Sequence, residues 1–179
     1  MTACLLFASG AAAQLAYAAP PEMPAAARPF APRLVPWGEG RLTWFGVAVY
    51  QARLWAAPDF SPSDWTRHDF VLELTYARAL RGADIARRSI EEMRRAGELS
   101  AEQAARWESA LRGVLPDVAP GDRIAGVHRR GVGLSFSVND RAGPLLGDPE
   151  LARLFFSIWL APTTSEPGLR AALLRRPNP

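Results

Sequence analysis

Across residues 68–77 the apolar side chains Phe70, Leu72, Leu74 and Tyr76 fall on every second position, the spacing of a strand with one buried face. Upstream, residues 41–55 are dense in β-branched and aromatic types, which predicts one long strand, or two short ones meeting at Gly46, where a glycine inside a strand marks a bulge. Residues 59–67 have loop chemistry. The period then lengthens, and Ile85, Ile90 and Met93 trace a helical stripe over residues 82–96, with Gly97 in place to close it. Ser100 opens an S-x-x-Q capping box ahead of a second helix bearing Ala104, Trp107 and Leu111 on one side.

Two further strands, 123–128 and 132–138, are predicted as a hairpin across Arg129-Arg130-Gly131, and Asn139-Asp140 turns the chain into a short strand at 144–146. Asp148-Pro149 supplies N-cap and first-turn residues for a helix carrying Leu151, Leu154, Phe155 and Ile158, and Ser165 is placed to cap a last helix ending at Leu174. Strands, two helices, strands, two helices do not repeat as βαβ units. The expected class is therefore α+β, an antiparallel sheet with helices packed on one face.

Composition narrows the picture. The 179 residues are 49% hydrophobic and 22% charged, enough for one sizeable core. Residues 1–18 carry no charge, and Ala16-Tyr17-Ala18 forms a small-x-small cleavage site, so residues 1–18 are expected to be a secretory signal although no basic residue precedes the apolar stretch. Residues 19–34 follow as a Pro/Ala-rich lead-in and 35–175 as the folded domain, giving a periplasmic or secreted protein with no stable membrane insertion once the signal is removed. The single cysteine, Cys4, lies in the signal, which leaves the domain without thiol chemistry. All 21 basic residues are arginine, and the net charge is +3. Nucleic acid is not expected as a partner, because Arg87, Arg88, Arg94 and Arg95 interleave with Glu91 and Glu92 at helical spacing and describe a salt-bridged surface.

Familiar catalytic patterns are missing. His68 and His128 have no second ligand at metal spacing and are expected at the surface; Gly38-x-Gly40 lacks the rest of a dinucleotide fingerprint, and no H-E-x-x-H or G-x-S-x-G occurs. None of this calls for a cofactor or a metal. What remains is Arg41 opening the aromatic strand with Tyr50 nine residues on. A guanidinium suits a carboxylate or phenolate. Simple alternation puts these two on opposite faces; a bulge at Gly46 would bring them together, and an exposed strand-end arginine beside a core tyrosine is the alternative.

The stretches Gly38–Gly46 and Val49–Trp55, then Leu115-Pro-Asp-Val118, Pro120-Gly-Asp122, Gly147-Asp-Pro-Glu150, Phe155-Phe-Ser-Ile-Trp-Leu160 and Thr164-Ser-Glu-Pro167, resemble bacterial chalcone isomerase-like proteins over residues 35–174. The resemblance implies an open-faced β-sandwich with a ligand cleft between sheet and helices. It also implies an anchoring role for Arg41. In the isomerases of that family a tyrosine at the start of the first long helix polarises the ketone; the matching position here is Ile85, the ligand asparagine becomes Glu92, the strand threonine becomes Tyr50, and the chain has no lysine. The expectation is a non-catalytic binder of a small amphipathic or apolar ligand, fatty-acid-like or aromatic, held by Arg41, Tyr50 and Ser165. Two alternatives stand beside it: an intramolecular lyase or isomerase acting on an enone or phenol, with Tyr50 and Thr164 or Ser165 as donors, and a partner-binding protein whose cleft is closed.

Overall fold

The computed structural model describes residues 33–176, with Met23, Pro24 and Arg28 ahead of them; the expected signal and most of the lead-in lie outside the described residues. Six strands, β1 (Val35–Trp44), β2 (Val47–Ala56), β3 (Phe70–Tyr76), β4 (Arg123–Arg129), β5 (Gly133–Val138) and β6 (Arg141–Leu146), form one sheet in sequence order, with each neighbouring pair antiparallel. Helices α1 (Gly82–Met93) and α2 (Ala101–Arg112) leave the sheet after β3, and α3 (Pro149–Leu160) and α4 (Pro167–Leu173) follow β6. The α+β class expected from the strand and helix order holds, with the helices on one face.

The register explains which residues face the helices. Tyr50 pairs with Leu42 and Tyr76, Leu54 with Leu72, and Leu72 with Gly126, and this row of positions carries the main core together with Phe136, Phe156 and Leu154. The other face holds a smaller cluster of Trp55, Val71, Ala125 and Val127, with Met23 and Leu34 packed against it. Strand β3 is consequently buried on both faces, not half-buried as its alternation predicts.

Helix ends follow from local chemistry. Ser100 and Gln103 make both bonds of the capping box. Asp148 caps α3 by accepting from the Glu150 and Leu151 amides at 3.1 and 3.0 Å, and its other oxygen accepts from Trp107 Nε1 at 2.8 Å, tying α3 to α2. Helix α4 seats directly on β1: a Cβ at Gly38 would lie 2.2 Å from the Leu173 carbonyl, and one at Gly40 would lie 2.7 Å from Leu169 Cδ1. The Gly-x-Gly of the sequence is thus a seat for a helix. Each edge strand carries one proline, Pro36 in β1 and Pro144 in β6, and the four inner strands have none.

Several local expectations change. Gly46 is not a strand bulge but the second residue of a tight turn, with Phe45 at φ 47° and Gly46 at φ 78°. The register shifts of this hairpin fall instead at Pro36/Gly38 and Leu42/Thr43. Helix α1 stops at Met93, and its C-cap is Arg94 in right-handed conformation, so Gly97 does not close it. Ser165 does not cap α4, whose N-cap is Glu166; the Glu166 amide donates to Thr164 Oγ1 at 3.1 Å. His128 is not at the surface: it is buried, its Nδ1 donates to the His68 carbonyl at 2.8 Å, and its ring stacks on Phe70 at 4.7 Å.

Candidate ligand cavity

Between the helix-facing side of the sheet and helices α1 and α3 lies a cavity of about 490 Å³. That volume falls within the roughly 300–1,000 Å³ typical of small-molecule sites. Its walls are mostly alkyl and aromatic: Leu72, Leu74 and Ile124 from the sheet, Ile85 from α1, Phe155 and Phe156 from α3. At Gly126 the floor is bare backbone, and a Cβ there would meet Phe156 Cε1 and Cζ at 3.2 Å. The cavity exists because α1 and α3 bridge over the centre of the sheet while α4 packs down on β1.

Polar groups in this lining are few. Tyr50 on β2 accepts a hydrogen bond from Trp159 Nε1 at 3.0 Å, which leaves its own hydroxyl hydrogen to donate. Tyr76 lies beside it on β3, with ring centroids 6.0 Å apart and planes at 73°, and its hydroxyl has no partner among the described residues. Burial pushes both phenols well above their ordinary range, so both stay neutral donors. Sequence reasoning placed Tyr76 among core positions; the signal that marks it is a phenol where the alternating pattern needs only a phenyl.

The rim is charged. Arg87 is held by Asp84 at 3.0 Å, and Arg88 by Glu91 at 3.1 Å and Glu92 at 2.5 Å; Arg95 also reaches Glu92, at 2.9 Å. Glu92 is buried and faces the cavity with its charge answered by two guanidiniums. Arg78, two residues beyond Tyr76, lines the opening and has no carboxylate partner among the described residues. Glu166 lines the cavity from the α3–α4 loop, also without an ion-pair partner among them.

The three expected site residues separate. Tyr50 and Ser165 line the cavity. Arg41 does not: it is exposed and registers with Gln51, on the sheet face opposite Leu42 and Tyr50. The physical reason is that the chain reverses at Phe45-Gly46 instead of bulging there, and the shift at Leu42/Thr43 comes after Arg41, so its parity relative to Tyr50 is not reset. Ile85 lines the cavity as an alkyl group. Among the described residues, no three His, Cys, Asp or Glu side chains gather as a metal site, and no helix is long and apolar enough to cross a membrane.

The architecture is the chalcone isomerase-like α+β fold. No protein-family model matches the sequence, and no curated protein sequence does either. Among solved structures the chain is similar to a fatty-acid binding protein of Arabidopsis thaliana, with a TM-score of 0.62 and 11% identity, covering 79% of this chain and 87% of that one.

Proposed function

We propose that this protein is a non-catalytic binder of a small amphipathic acid, with the alkyl or aromatic body in the cavity beside Tyr50 and the acid group at Tyr76 and Arg78. The observation that carries the reading is the pair of neutral phenols side by side in the cavity wall, one with an unpartnered hydroxyl. Phenols held neutral donate to a carboxylate, and hydrogen bonds to a charged group contribute about 1.5–3 kcal/mol each. Arg78 supplies the countercharge, because Arg87 and Arg88 are already paired. Glu166 and Glu92 both act on the Tyr50 phenol and disfavour an anion there, which directs the acid toward Tyr76 and Arg78. The fatty-acid binding neighbour of the same fold supports an acyl ligand, and Ile85 in the cavity wall offers no hydroxyl for polarising a ketone.

The test is titration calorimetry with dodecanoate, alongside mass spectrometry of organic extracts from the purified protein. Arg78→Gln is expected to weaken binding roughly ten- to a hundred-fold, the equivalent of one charge-assisted bond, while Arg41→Gln leaves it unchanged. If Arg41→Gln causes the loss and Arg78→Gln does not, the anchor is Arg41, as the sequence resemblance implies. No binding by the wild type, and no acid in the extract, would end the reading.

A further inference from the structure

The turn joining β1 and β2 presents apolar groups where the fold has no use for them. Phe45 is 92% exposed, and Trp44 and Val47 are each 55% exposed. Among the described residues the one ring against Phe45 is Trp44, edge-on at 5.3 Å. A two-residue turn with both residues at positive φ favours Asn or Gly at its first position. Phenylalanine at φ 47° is conformationally costly there and gains no burial in return. Residues that break a local rule without serving the core mark function.

The tip is continuous with the cavity opening. Trp44 is both exposed and part of the lining, as are Arg78, Arg87 and Arg88. The Ala77 amide bonds the Val49 carbonyl at 2.9 Å, which fixes the segment leading to Arg78 against the base of the hairpin. On the exposed rim Arg87 is paired with Asp84 and Arg88 with Glu91 and Glu92, whereas Arg78 has no carboxylate partner among the described residues. Arg41, three residues before Trp44, adds a further cation without a carboxylate partner among the described residues. Aromatic side chains at a tip, with the unpaired guanidiniums of Arg41 and Arg78 nearby, match an anionic lipid surface: the rings enter the headgroup boundary and these two arginines meet phosphates.

We propose that the β1–β2 hairpin docks the cavity mouth onto an anionic lipid bilayer, so that ligand passes between membrane and cavity without crossing water. The docking stands on the exposed tip and rim; its purpose rests on the acid-binding function proposed above. The contact is peripheral, reaching no deeper than the tip side chains.

Vesicles of mixed phosphatidylglycerol and phosphatidylcholine with brominated acyl chains provide the test. Added to the full chain, they are expected to quench a part of the tryptophan fluorescence that disappears in Trp44→Phe. Phe45→Asn suits the turn better than the native residue, so it is expected to fold normally and to bind dodecanoate in solution as the wild type does, yet to lose vesicle partitioning at least ten-fold. Vesicles of phosphatidylcholine alone are expected to bind more weakly. Quenching that is the same in Trp44→Phe as in wild type, or partitioning unchanged by Phe45→Asn, would overturn the proposal. So would a wild-type dimer in light scattering that Phe45→Asn dissolves, since the tip would then belong to a second copy. Vesicle docking without dodecanoate binding would support the docking and remove the acid-binding function.

Discussion

At Tyr76 the hydroxyl opens onto the cavity and has no protein hydrogen-bond partner among the described residues, so the ligand-free fold does not depend on it. Tyr50 differs, because its oxygen serves the Trp159 N–H. The two Phe substitutions are therefore expected to diverge in the ligand-free protein. Tyr76→Phe leaves the thermal midpoint unchanged, whereas Tyr50→Phe strands a buried indole N–H and lowers stability by about 1–2 kcal/mol. Thermal unfolding without ligand checks this, and Tyr76→Phe is expected to weaken dodecanoate binding.

His128 sets a pH dependence. Desolvation among Phe70, Trp65 and Phe156 lowers its pKa, with the His68 carbonyl and Asp69 opposing. The unfolded chain therefore binds the proton more readily than the folded one. The neutral-histidine contribution is fully present above the unfolded value of about 6.5 and is lost as pH falls below it toward the lower folded value. Urea midpoints measured from pH 8 to pH 5 are expected to fall, and to fall less in His128→Phe. This histidine was not legible in the sequence, where an arginine neighbour and a strand-end position suggested solvent; its burial comes from the 65–70 segment folding over it.

Elements whose signals are local were legible as they stand. The capping box at Ser100 and the Asp148-Pro149 start of α3 each depend on residues close in sequence, and both appear as expected; β3 is a strand as its alternation predicts, but buried on both faces. What could not be read was how elements meet. The parity of Arg41 relative to Tyr50 depends on whether residues 45–46 turn or bulge, and periodicity alone does not distinguish these. The pairing of Tyr50 with Tyr76 depends on the β2–β3 register, set across a long loop. The role of Gly38 is likewise tertiary. Gly38→Ala is expected to lift α4 off β1 and to cost about 1–3 kcal/mol, the range for overpacking against a backbone that must shift, read as a lower urea midpoint. Asp148→Ala removes a cap worth about 1 kcal/mol and the acceptor for Trp107, so it is expected to destabilise more than Ser100→Ala.

For the molecule as a whole, ligand and stability are linked. An acid that binds the folded cavity and not the unfolded chain stabilises by about 2.7 kcal/mol at a hundred times its dissociation constant. For a chain of this length that corresponds to a rise in thermal midpoint of roughly 5–10 °C. Thermal shift across a series of acids would rank them without labelling, and a flat response to every chain length would count against the cavity as the site. The proposed export belongs to the same scale, and amino-terminal sequencing of protein recovered outside the cytoplasm is expected to begin at Ala19.

Among the described residues the sheet does not close on itself, and β1 and β6 are its outer strands. Pro36 and Pro144 stand one in each of them. A proline has no N–H to offer an incoming strand, so each border is interrupted where another chain would add itself. Replacing Pro144 with valine would restore the missing donor on β6 next to the exposed Leu145. The consequence is colloidal: concentrated Pro144→Val is expected to form thioflavin-positive aggregates under conditions in which the wild type stays in solution.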